Sequence, residues 1–140
     1  MKLRLSILTV LALFICLSVQ AQMRPAPVAG IEAPAILQLQ GYNNRDIETF
    51  LKAYSDSVKV YNQPGMLSYQ GKNEMRKRYA SMFANTPDLH CELVNRIVSG
   101  NVVIDHERVQ FSKSRARREA IAIYRIKDNL IYEVTFVSPE

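Results

Sequence analysis

The chain has 140 residues, a formal net charge of +5, 48% hydrophobic and 22% charged residues, and two cysteines. That is length for one domain with a single core, not for two. One of the cysteines, Cys16, lies in an N-terminal apolar run, so the domain must hold by packing rather than by internal disulfides.

Lys2 and Arg4 precede an apolar run over 5–19, and Val19-Gln20-Ala21 is a small-residue site. The pattern predicts a signal peptide over 1–21, cleaved after Ala21, and a periplasmic or secreted protein. The run is short for the alternative, a membrane anchor, so no stable membrane span is expected once the signal is removed. Ile15 stands where bacterial lipidation at Cys16 usually wants a smaller residue. The exported chain would keep about 119 residues, a charge near +3 and one thiol, Cys91, expected to be buried with Leu89 and Leu93. Residues 22–33 carry Pro25, Pro27 and Gly30 and read as a linker.

A single domain is expected over 34–140. Pro34 suits the first turn of a helix reaching about residue 43, and Asn43-Asn44-Arg45 breaks it. Asp46 is placed to cap a second helix, with Ile47, Phe50, Leu51 and Tyr54 on one face. Val58, Val60 and Asn62 then alternate with Lys59 and Tyr61, so the period changes from that of a helix to that of a strand. Asn62-Gln63-Pro64-Gly65 is a turn signal before a short second strand. After Gly71 a third helix is predicted over 72–85, with Met75, Tyr79, Met82 and Phe83 inward and Pro87 beyond its end. From Leu89 onward the pattern is four long antiparallel strands, turning at Ser99-Gly100-Asn101, at a basic tip over 113–118 and at Asp128-Asn129. Helices and a strand hairpin followed by long strands predict an α+β fold with helices on one side of a curved sheet.

The third and fourth strands hold the most informative pattern. With a three-residue loop over 99–101, Asn95 would face Asp105, Leu93 would face Glu107 and Cys91 would face Val109. One face is then apolar at both ends and carries Asn95, Asp105 and Glu107 in the middle. The two carboxylates would lie about 6.5–7 Å apart on one side of the strand. Two like charges in an apolar hollow raise at least one pKa, which makes Asp105 and Glu107 the candidate acid/base residues. A two-residue turn at Gly100-Asn101 would instead set Asn95 against His106 and turn both carboxylates away. The plain alternative is a wetter face where the carboxylates pair with Arg96, Arg108 or Arg125.

Seven tyrosines offer walls that are apolar and end in a hydroxyl; Tyr61 and Tyr124, on strands near the expected mouth, are the pocket candidates, with core filling the alternative for each. His90 and His106 have no partner at metal-ligand spacing. There is no glycine-rich phosphate loop and no nucleophile elbow, so no metal or cofactor is implied. The basic tip has no interleaved aromatics and reads as a solvated charge run, which argues against nucleic acid as a partner. Contact of the tip with anionic head groups or glycans stays open, to be tested by its loss at high salt.

The segments YNNRDIETFLKAYSDSVKVY, PGMLSYQGKNEMRKRYASMF and IAIYRIKDNLIYEV, in this order, resemble the SnoaL-like and ketosteroid-isomerase-like branch of the nuclear transport factor 2-like superfamily. The resemblance covers about residues 34–137. It implies a cone: three helices packed against a strongly curved, mainly antiparallel sheet, a pocket at the open end, and in many members a homodimer through the outer sheet face. It places Val134 and Phe136 among pocket-lining residues. Aligned on Asp46, the isomerase tyrosine falls on Gln38, the carboxylate base on Asn62 and the late acid at or near Ala122. An amide takes no proton from carbon, and alanine donates none, so steroid isomerisation by that route is not expected. The ligand candidates are thus Tyr61, Asn62, Asn95, Tyr124, Val134 and Phe136. Two functions remain open: a binder of a small, largely apolar molecule with acid/base chemistry of isomerase, cyclase or hydrolase type, or a non-catalytic dimeric interaction module.

Overall fold

The computed structural model describes residues 30–138. The expected signal peptide and most of the linker fall on residues 1–29, outside the described residues. Helix α1 (Ala33–Asn44) has proline in its first turn and stops at Arg45, whose φ of 54° lets its N–H reach the carbonyls of Gly41 and Tyr42. The Asp46 carboxylate then accepts from the N–H groups of Glu48 and Thr49, at 3.0 and 3.1 Å, and starts α2 (Ile47–Lys52). The two helices meet at Gly41, where a Cβ would lie 2.3 Å from the backbone nitrogen of Phe50. Only glycine lets the backbones approach this closely.

Helix α2 ends before Tyr54, which the helical spacing had placed on its face. Tyr54 opens strand β1 (Tyr54–Asn62), where it pairs with Ile131. Sheet pairing overrides the local period there. Strand β2 (Met66–Gln70), helix α3 (Lys72–Asn85), and strands β3 (His90–Ser99), β4 (Val102–Gln110), β5 (Arg118–Lys127) and β6 (Leu130–Val137) complete the fold. The six strands form one open sheet in the order β2-β1-β6-β5-β4-β3; β1 and β6 run parallel and all other neighbours antiparallel.

The helices pack on one face of this curved sheet, α1 against β3 and β6 and α3 against β1 and β2. Tyr42, Phe50, Tyr79 and Phe83 form an aromatic cluster between them, with Phe50 and Tyr79 centroids 4.3 Å apart. Around it Leu51, Met75, Leu89 and Ile131 are buried, each stabilising the fold by about 1.5–3 kcal/mol. Cys91 is a free, buried thiol, as expected.

The turn between β3 and β4 differs from the three-residue loop. Ser99 pairs with Val102, so Gly100 and Asn101 alone make the turn, and Gly100 takes a φ of 57°. From that turn Asn95 faces His106. The alternation is then reset by a bulge between Leu93 and Asn95, after which Leu93 faces Glu107 and Cys91 faces Val109. Both carboxylates therefore stay on the helix-facing side, Asp105 fully buried and Glu107 only 6% exposed.

A candidate acid/base pocket

The two-residue turn decides which residue meets Asp105. It sets Asn95 on the exposed outer side and Arg96 inward, and the bulge beyond Asn95 brings Leu93 opposite Glu107 and Cys91 opposite Val109. Arg96 grips Asp105 with two hydrogen bonds, Nε to Oδ1 and an Nη to Oδ2, both 2.7 Å. This planar fork satisfies both oxygens of a buried carboxylate. Neither the paired-carboxylate reading nor the arginine-pairing reading holds as stated: Asp105 sits in a buried ion pair with Arg96 rather than on a wetter face, and Glu107 alone of the two lines a cavity.

That cavity, of about 280 Å³, lies between the helices and the inner face of the sheet. Gln38, Tyr42, Tyr54 and Tyr79 line it from the N-terminal half of the chain, and Cys91, Glu107, Val109, Ala120, Tyr124 and Phe136 from the sheet. Inward positions alternate along β4 and β5, so Glu107 pairs with Ala120 and the inward Tyr124 with Val103. The Tyr124 hydroxyl donates to Glu107 Oε1 at 3.0 Å and accepts from Gln38 Nε2 at 3.0 Å. Tyr54 donates to Gln38 Oε1 at 3.4 Å, so one chain of hydrogen bonds runs from the sheet to α1.

Burial pushes the Glu107 carboxyl up to about 7. The Tyr124 hydrogen bond works against that rise, the Asp105 charge adds to it, and the Cys91 thiol and Arg96 lower it. Burial also raises the Tyr124 hydroxyl and the Cys91 thiol, with the Glu107 charge adding in each case, so both stay protonated near neutrality. A carboxyl with a pKa near neutrality can both give and take a proton at ordinary pH. Among the described residues no group of three or more histidine, cysteine, aspartate and glutamate side chains is placed to hold a metal.

The expected site residues divide clearly. Glu107, Tyr124 and Phe136 line the cavity. Val134 is buried in the core beside it, paired with Tyr124 across the β5–β6 ladder. Asn62 lies at a second cavity of about 230 Å³, which shares Tyr79, Met82 and Phe136 with the first. Tyr61 is half-buried on β1 and lines neither, Asn95 is exposed, and Asp105 is not at the cavity wall. Gln38 stands in the cavity where the resemblance sets a tyrosine. Ala122 pairs with Asp105, so an acid side chain sits one strand over from the expected late acid. The sequence reading did not single out Tyr42 or Tyr79, or Phe111 and Arg118 at the rim. For the last two the signal was strand parity running through a tip that reads as plain surface charge.

A cone of α+β architecture with a largely apolar hollow and a buried titratable carboxyl defines the class of protein. The SnoaL-like domain pattern matches residues 37–134, and the chain belongs to that family. No curated protein matches it. Among solved structures it is similar to a cystatin-fold protein of Novosphingobium aromaticivorans at 23% identity, over 76% of this chain and 96% of that one, with a TM-score of 0.69. A SnoaL-like protein of Burkholderia thailandensis is 17% identical over 83% and 100% of the two chains, with a TM-score of 0.67. An LEH-like epoxide hydrolase of M. tuberculosis is 13% identical over 78% and 82%, with a TM-score of 0.64. At these identities the likeness is one of fold.

Proposed function

We propose that the protein binds a small, largely apolar molecule in the cone cavity and that Glu107 acts on it as general acid/base. The observation that supports this is a buried carboxyl poised near neutrality at the wall of a hollow built mostly from aromatic and aliphatic side chains. Glu107 would take a proton from the bound molecule, or from a water attacking it, and return the proton to the product. Tyr124 holds the carboxyl in place and Gln38 holds Tyr124, while Asp105 fixes Arg96 behind them. This chemistry fits isomerase, cyclase or hydrolase classes, and the structural likeness to an epoxide hydrolase is compatible with it. Export is part of the proposal and rests on the N-terminal sequence pattern alone.

The test is direct. Small molecules released on denaturing the purified protein are identified by mass spectrometry. Ala120→Trp, which fills the hollow, should purify without them. With the molecule in hand, Glu107→Gln should keep binding and lower turnover about 10²–10⁴-fold. Unchanged turnover removes Glu107 from the chemistry.

A second reading has its own observation. On the outer face Ile97, Ile104, Ile123, Thr135 and Tyr61 lie in one row across five strands, with Ile97 54% exposed. A mainly apolar row suits a homodimer through the sheet, in catalytic and non-catalytic versions alike. Sedimentation of wild type against Ile123→Lys tests it, with a dimer expected only for the wild type.

A further inference from the structure

We infer that the molecule this cavity takes carries an anionic head group, held at the mouth by Arg118, with its apolar body running inward to Glu107. The inference rests on the cavity being a ligand site. Strand parity sets the geometry. Arg118 pairs with Val109 and Ala120 with Glu107, so Arg118 stands on the inner face one side-chain step, about 7 Å, nearer the open end than Glu107. Its guanidinium rests on the ring of Phe111, 5.5 Å from the centroid, and both residues line the cavity.

The charges around the mouth leave Arg118 available. Lys113 pairs with Asp88, and Arg117 with Glu92. Glu119, the rim carboxylate, has one oxygen on Arg108 at 2.7 Å and the other on His106, so its charge is already answered. Among the described residues Arg118 has no ion-pair partner. A cation at the rim of an apolar hollow, backed by a basic tip, attracts and orients a molecule with one charged end. The stem of Arg118 and the Phe111 ring meet its apolar part, and the guanidinium fork meets a carboxylate or similar oxyanion.

Octanoate and 1-octanol, matched in chain length and differing in charge, serve as probes in calorimetric titrations of the full chain at neutral pH. Wild type is expected to bind octanoate about 10-fold or more tightly than 1-octanol. Arg118→Gln should lose that preference while keeping the affinity for 1-octanol, and Arg118→Lys should restore part of it. Ala120→Trp should abolish both. Equal or weaker binding of octanoate by wild type, or an Arg118→Gln protein with its preference intact, overturns the inference and leaves the cavity reading standing. Octanoate binding that survives Ala120→Trp places the anion on the surface tip and also overturns it. If neither probe binds, the cavity reading itself falls.

Discussion

Asp105 and Glu107 are two acidic side chains on one face of one strand, two residues apart, and they have opposite surroundings. Toward the turn, β3 supplies Arg96, and Asp105 is buried and held by two short hydrogen bonds. Toward the open end β3 supplies Leu93 and Cys91, and Glu107 meets a tyrosine hydroxyl, a thiol and empty space. The cation makes one group structural. Its distance from the other leaves a proton that can be exchanged. What separates a fold-holding carboxylate from a candidate catalyst is therefore the partner strand, not the residue or its burial.

The largest effect should come from breaking the ion pair. Arg96→Met leaves Asp105 buried with no counter-charge and should cost about 3–5 kcal/mol in urea unfolding. The double change Arg96→Met with Asp105→Leu should regain most of it, because the uncompensated charge is gone. A double variant as unstable as the single one would mean that the guanidinium does more than neutralise Asp105.

The next effect is a pH dependence from Glu107. Its folded pKa of about 7 lies above the ordinary 4.5, so between these values the folded state holds the extra proton. Stability from this group is full below about 4.5, falls as pH rises, and is lost above about 7, an overall loss of about 3 kcal/mol. Glu107→Gln should remove that slope, gaining on wild type at pH 8 and not at pH 4. An unchanged slope would mean that Glu107 is as well compensated as Asp105, and the contrast would fail.

The smallest effect sharpens the comparison. Tyr124→Phe keeps the ring but deletes the hydroxyl joining Gln38 to Glu107, at a cost of about 1–2 kcal/mol. Because that hydroxyl lowers the Glu107 pKa, its loss should move the titration further up. The carboxyl signal in NMR, followed against pH, reads this directly.

Much of this was legible in the sequence. The Asp46 cap, the α3 face of Met75, Tyr79, Met82 and Phe83, and the turn at Asp128-Asn129 follow from local chemistry and stand as read. The bulge did not. Gly100-Asn101 asks for a two-residue turn, and the apolar positions of Cys91 and Leu93 ask for the opposite phase. One inserted residue satisfies both: the turn alone gives Arg96 for Asp105 but Val94 for Glu107, and the apolar phase alone gives Asn95 for Asp105. Tyr54 was misplaced for a related reason. Its neighbour in space is Ile131, far along the chain, and no local period records such a pairing. The Gln38–Tyr124–Glu107 chain likewise joins residues up to 86 positions apart.

Strand β6 has a place in the sheet that its place in the chain does not suggest. Last in chain order among the described strands, it lies between β1 and β5 and joins the N-terminal hairpin to the C-terminal meander within the sheet. Without it, each half presents a bare edge and the hollow has no continuous wall. The sheet is therefore one piece only with β6 in place, and a variant lacking that strand would lose the join between the two halves rather than a tail.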